Sequence, residues 1–253
     1  MSITLYPATA GTTSSLSTAP WYLQVARGQV AGCSVVNVFG YQAAATTSFH
    51  LIWENAAAYV YPTAAAQLSI VSSSASDTSA RSIFISGLDS SYNVITETKA
   101  LNGTTPVTSV NSYFRVNSVV MANALNTGTI TLTSPSPSAS NVVAKIDAGI
   151  GKNQAALYTV PAGYTLYGNR FSGFSSEAGG GMAYTTWRAY INNAVTGQTF
   201  VVAQAPFGNS YLLQRTVPFA FAEKSDIEWQ LATGTGTHPV SVNVEGVLIS
   251  NTA

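Results

Sequence analysis

The sequence predicts an all-β protein: two antiparallel β-sandwiches of the jelly-roll or immunoglobulin-like kind, preceded by an extended N-terminal arm. Three observations predict it. Residues alternate with period two, most plainly where Phe49, Leu51 and Trp53 interleave with His50, Ile52 and Glu54. Runs rich in Val, Ile, Thr and Tyr recur about every ten residues between polar turns, as strands of a sandwich do. The Ala-rich pieces Ala43-Ala44-Ala45, Ala56-Ala57-Ala58 and Ala64-Ala65-Ala66 could each start a helical turn but are too short for a long helix.

The elements follow in order. Residues 8 to 20 are Ala, Thr, Ser, Gly and Pro with one Leu, too little apolar surface to offset the entropy of ordering, so residues 1–28 read as an extended arm. Its apolar flanks, Leu5, Tyr6, Trp21, Tyr22 and Leu23, are the candidate docking anchors. Strands are expected near 30–39, 49–54, 67–72, 81–86, 94–101, 113–121, 128–133 and 141–146, which makes residues 29–147 the first sandwich. The turn Gly87-Leu88-Asp89-Ser90-Ser91-Tyr92-Asn93 reads as a hairpin. Thr133-Ser134-Pro135-Ser136-Pro137-Ser138 reads as a stiff linker or, as the rival, an edge-strand loop. Residues 148–253 make the second sandwich, with strands near 157–160, 165–174, 182–191, 199–204, 211–217, 226–232 and 240–250. Gly179, Gly180 and Gly181 in one loop, and Phe207, Asn209 and Tyr211 in another segment, are its candidate exposed contact tips.

Composition limits the function classes. Of the 253 residues only 8% are charged and the formal net charge is zero, so neither nucleic acid nor an anionic membrane surface finds a basic patch. Low charge removes the repulsion that keeps free proteins apart and suits a subunit of an assembly. Cys33 is the sole cysteine, which excludes an intrachain disulfide and reads as a small hydrophobe. The first residues lack the pattern of a secretory signal, and no run of about 18 apolar residues is present, so a chain made and used without a Sec pathway or a membrane span is expected.

No reaction is written in the chain, and no cofactor or metal is expected. The strained Gly-x-Ser-x-Gly turn of a catalytic serine is absent. His50 and His238 lack the His-x-x-x-His spacing of a metal pair. Gly149-Ile150-Gly151-Lys152 is followed by Asn153, where a phosphate loop needs Ser or Thr. Paired acids could hydrolyse glycosides, but Asp226 and Glu228 fall on one side of a strand and read as a solvated face. Trp21, Trp53, Trp187 and Trp229 sit in or beside apolar strand patterns and read as core or subunit interface before sugar platform.

The run Gly87 to Val120, with Leu101-Asn102-Gly103-Thr104-Thr105-Pro106-Val107 and Phe114-Arg115-Val116, resembles virion structural proteins of tailed bacteriophages, especially short-tailed marine and cyanobacterial phages. Tyr158-Thr159-Val160-Pro161-Ala162-Gly163, Glu223-Lys224-Ser225-Asp226-Ile227 and Glu245-Gly246-Val247-Leu248-Ile249 add to the resemblance. It implies a non-enzymatic virion subunit, a decoration (cement, knob-like) protein on the outside of the capsid or a tail-associated protein, and carries over no catalytic residue. The expected partners are the major capsid protein and further copies of the chain, a trimer among the options. The alternative is a carbohydrate-binding adhesion module, on a tail fibre or the capsid, that recognises host surface glycans.

Overall fold

The computed structural model describes residues 20–176 and 184–252. After a short helix α1 (Trp21–Ala26) the chain forms β1 (Cys33–Ala45), β2 (His50–Leu51), β3 (Ala66–Ser72), β4 (Ser82–Leu88), β5 (Val94–Ala100), β6 (Val107–Tyr113), β7 (Arg115–Met121), β8 (Ile130–Ser134) and β9 (Asn141–Ile146). There follow β10 (Leu157–Thr159), β11 (Tyr164–Ser175), β12 (Thr185–Asn193), β13 (Thr199–Phe207), β14 (Ser210–Phe221), β15 (Ser225–Ala232) and β16 (His238–Ser250). The expected fold class holds: the strands pair antiparallel and pack as sheet upon sheet.

Sheet membership departs from chain order. The smaller sandwich stacks the sheet β6-β3-β8-β9 on β5-β4-β7, around Leu68, Ile70, Ile83, Ile85, Val119, Ile130 and Leu132. The larger stacks β1-β16-β11-β14 on β10-β15-β12-β13, with β2 added against β15. Alternate residues of its two sheets, among them Val38, Val242, Phe171, Trp187, Ile227 and Trp229, fill one core. Residues 29–147 therefore do not share one sandwich. Strand β1 pairs along its length with β16, from Cys33 opposite Ile249 to Ala45 opposite His238, and residues 66–146 are inserted between β2 and β10. Alternation marks a strand and its buried face; it carries no label for the partner, here some 200 residues away.

Three local readings change. Residues 21–26, expected in an extended arm, form one helical turn and a half that buries Gln24 and Val25. The Ser134-Pro135-Ser136-Pro137 stretch is the loop of the β8–β9 hairpin, closed by the pair Ser134 and Asn141, so the edge-loop reading holds and the linker reading does not. Strand β6 was not expected, because its sequence Val-Thr-Ser-Val-Asn-Ser-Tyr offers the core only Ser109 and Tyr113 as buried residues. The hairpin at Gly87 to Asn93 forms as expected: Asp89 Oδ1 accepts the amides of Ser91 at 2.8 Å and Asn93 at 2.9 Å.

The two sandwiches meet along β7. Asn117 and Thr159 exchange two hydrogen bonds of 2.9 Å, and the amide of Val119 donates to Asn153 Oδ1 at 2.8 Å. Gly87, beside this seam, has no room for a side chain: a Cβ there would lie 2.2 Å from the carbonyl oxygen of Arg115.

Candidate functional site

Two features of the larger sandwich stand apart from ordinary core packing. The first is its open edge. Strands β13 and β14, joined by the short turn at Gly208 and Asn209, are the terminal strands of the two stacked sheets. Between Thr199 and Ala222 the sequence holds one charge, Arg215, and that guanidinium lies over the Phe219 ring at 4.0 Å. Phe200, Val201, Leu212 and Val217 are all exposed, Leu212 by 58% and Val217 by 70%. Soluble proteins commonly blunt such edges with charge. The smaller sandwich does so: its edge strand β5 carries Glu97 and Lys99.

The expected contact residues divide around this edge. Leu5 and Tyr6 lie outside the described residues, as do Gly179, Gly180 and Gly181. Tyr22 and Leu23 are exposed on α1, and Trp21, half-buried, lines a cleft with Tyr167, Arg215 and Pro218, next to β14. Asn209 is exposed at the turn. Phe207 is not an exposed tip: it is buried, with its ring against the space beside Gly173. Tyr211 is half-buried, its ring 5.4 Å from that of Trp187 and 5.9 Å from that of Phe207. Both rings turn inward because the pleat alternates, and the apolar partners stand on the inner face.

The second feature is the outer face of β15. Ile227, Trp229 and Leu231 point into the core, so Asp226, Glu228 and Gln230 share the opposite face, as period two requires. That face is not solvated. The chain between β2 and β3 crosses over it, bringing Glu54, Tyr59 and Tyr61, and β7 brings Arg115.

Arg115 and Asp226 form a buried two-pronged pair. Nε donates to Oδ1 and Nη2 to Oδ2, both at 2.9 Å, while Nη1 donates to the carbonyl oxygens of Pro62 and Phe114. Thr159 Oγ1 adds a 2.6 Å hydrogen bond to Asp226 Oδ1. The guanidinium carbon sits 4.0 Å from the Phe114 ring centre and 4.8 Å from that of Tyr61. Burial alone would lower the pKa of Arg115; the hydrogen bonds and charge of Asp226 outweigh it and hold the side chain more firmly protonated.

Next along the face, Glu228 Oε2 accepts Gln230 Nε2 at 2.6 Å, and Gln230 Oε1 accepts Arg188 Nε at 2.7 Å. Burial pushes the Glu228 carboxyl up, against the lowering effect of Gln230. Glu54 Oε1 accepts the amide of Gln154 at 2.9 Å, whereas Oε2 is buried with no hydrogen-bond partner. Desolvation raises the Glu54 carboxyl to about 7, more than its backbone hydrogen bonds and Lys145 lower it. Sequence reasoning weighed Asp226 and Glu228 as acids on one face but missed Arg115 and Glu54 as site residues. The signal available for Arg115 was a lone charge in the strand Phe114-Arg115-Val116, which names no partner.

No protein-family model matches the chain, and no curated protein matches it. Among solved structures, a structure of infectious bursal disease virus, Gt strain, aligns with 87% of this chain and 73% of its own at 12% identity and a TM-score of 0.26. A mutant VP2 protein of infectious bursal disease virus, from derived T=1 particles, aligns with 87% of this chain and 70% of its own at 11% identity and a TM-score of 0.21. Overlaps this loose carry no functional argument.

Proposed function

We propose that this protein is a non-enzymatic structural subunit of a bacteriophage virion, a decoration or cement protein bound to the outer surface of the major capsid shell. The observation that supports this reading most is the β13–β14 edge, a long apolar border with one charge that a free monomer would leave open to water. Tyr22 and Leu23, exposed on α1 beyond Trp21 and the neighbouring β14, extend the same apolar border. Covering these residues against a shell protein or a further copy of the chain would take their apolar surface out of water; a standard interface takes about 1,600 Å² in total. The resemblance of the Gly87 to Val120 region to virion proteins of short-tailed phages gives the reading its particle.

Glycan recognition, the rival reading, calls for an exposed Trp or Tyr on the larger sandwich: Trp53, Trp187 and Trp229 are core residues, which leaves Tyr184, 57% exposed beside β12, as the ring it could use. Quantitative mass spectrometry of purified particles tests the proposal. Hundreds of copies per particle place the protein on the capsid lattice; a number on the order of a dozen moves it to the tail and favours adhesion.

A further inference from the structure

A groove of about 300 Å³ runs between the two sandwiches, with β1 of the larger on one side and β4, β5 and β7 of the smaller on the other. Strand β1 ends its sheet, so one of its edges has no strand partner among the described residues. The register fixes which backbone groups that edge presents. Ser250 donates its amide to the carbonyl oxygen of Gly32 at 2.8 Å, one step beyond the pair Cys33 and Ile249, so even-numbered residues of β1 bond to β16 and odd-numbered ones face away. Tyr41 agrees, since its amide donates to the carbonyl oxygen of Gln154 at 3.2 Å, outside the sheet. Val35, Asn37 and Phe39 therefore turn their amides and carbonyls into the groove, where no backbone partner among the described residues meets them.

The groove is apolar where it meets water: Val35 is 49% exposed, Phe39 36% and Val94 54%. Lys152 is the one charged residue in its lining. An open edge beside exposed apolar side chains is completed by an extended segment that pairs with it, main chain to main chain. The chain holds a segment of that chemistry. In Ser2-Ile3-Thr4-Leu5-Tyr6 polar and apolar residues alternate, Pro7 then ends the run, and residues 1–19 carry no charged side chain. The segment is also within reach. Trp21, the first residue of α1, lines a cleft with Val247, and Val247 stands opposite Val35 across the β1–β16 ladder, so the chain enters α1 close to the groove. Residues 8–19 extended span up to about 40 Å. Neighbouring strands lie only about 5 Å apart.

We propose that residues 2–6 pair with β1 of the same chain as an added strand, with their apolar side chains against Val35, Phe39 and Val94. The inference stands independently of the virion reading. Amide hydrogen exchange of the full chain, resolved by residue and run at several protein concentrations, tests it against the double variant Ile3→Asp with Leu5→Asp. The amides of Val35, Asn37 and Phe39 should exchange on the order of a hundredfold slower in the parent than in the variant, at every concentration. Those of Val36 and Val38, which bond to β16, should exchange alike in both. Asn37→Pro removes one groove-facing amide and leaves the β1–β16 ladder its bonds, so it should fold and lose the protection of Val35 and Phe39 by a similar factor. The double variant alters no residue of either core, so the test holds whether or not Asn37→Pro folds. Equal exchange of Val35, Asn37 and Phe39 in the parent and the double variant would overturn the proposal. Protection that rises with protein concentration would overturn it as well, by moving the added strand to a neighbouring copy.

Discussion

Asp226 and Glu54 are buried acids on the same side of the larger sandwich, and they are treated in opposite ways. Asp226 receives a two-pronged guanidinium and a hydroxyl, while Glu54 is met by backbone amides alone and keeps a buried oxygen without a hydrogen-bond partner. A buried charge is tolerated when its partners replace water, and otherwise the group tends to stay neutral. The first arrangement therefore locks two sandwiches together, and the second leaves a carboxyl that keeps its proton up to about pH 7.

Removing the lock should have the largest effect. Arg115→Ala leaves Asp226 buried and unpaired and should cost about 3–5 kcal/mol in equilibrium denaturation. Arg115→Ala combined with Asp226→Asn should cost less than the sum of the single changes, because the pair acts as a unit. Additive costs would contradict the lock.

Glu54 should behave in the reverse sense. Its folded-state pKa of about 7 lies above its ordinary value of 4.5, so the folded protein holds the proton more tightly and stability falls as pH rises from about 4.5 to 7. Glu54→Gln should therefore stabilise the protein at pH 8, by up to about 3 kcal/mol, and by little at pH 4. A melt showing the same change at both pH values would contradict this account.

Asp77 sharpens the contrast from within the smaller sandwich. Burial raises its pKa, but hydrogen bonds from Ser72, the amides of Thr127 and Gly128, and Arg81 outweigh it and bring the carboxyl to about 2. Its stabilisation is present above its ordinary value of 3.8 and is lost as pH falls towards 2. Asp77→Asn should cost about 1–2 kcal/mol at neutral pH and flatten the acid limb of the stability curve. Least affected in stability should be Leu212→Lys on β14, within about 0.5 kcal/mol of the parent. That change should nonetheless reduce assembly into particles, which comparison of incorporated copy numbers would show.

Much of this fold was legible in the sequence, and the limits have physical causes. Alternation located β3, β4, β5, β9 and β15 to within a residue or two and put Asp226 and Glu228 on one face. It could not say that β1 belongs with β16, because the pairing is set by the whole sandwich closing around Trp187 and Trp229 and not by anything local to Cys33–Ala45. The solvated reading of Asp226 failed for the same reason: Arg115 lies 111 positions earlier and arrives only once β7 docks. Phe207 read as a loop tip because Pro206 and Gly208 flank it, yet its ring fills the space that Gly173 leaves. Nearest to direct legibility was the apolar edge, since one charge between Thr199 and Ala222 can be seen by eye.

The central claim, that the β13–β14 edge is covered in the assembled particle, is tested most directly by amide hydrogen exchange on the free protein and on the protein within purified virions. The account predicts that amides of Thr199–Phe207 and Ser210–Phe221 gain protection in the particle, while those of β5 do not. Unchanged exchange along β13 and β14 in a fully occupied particle would contradict it.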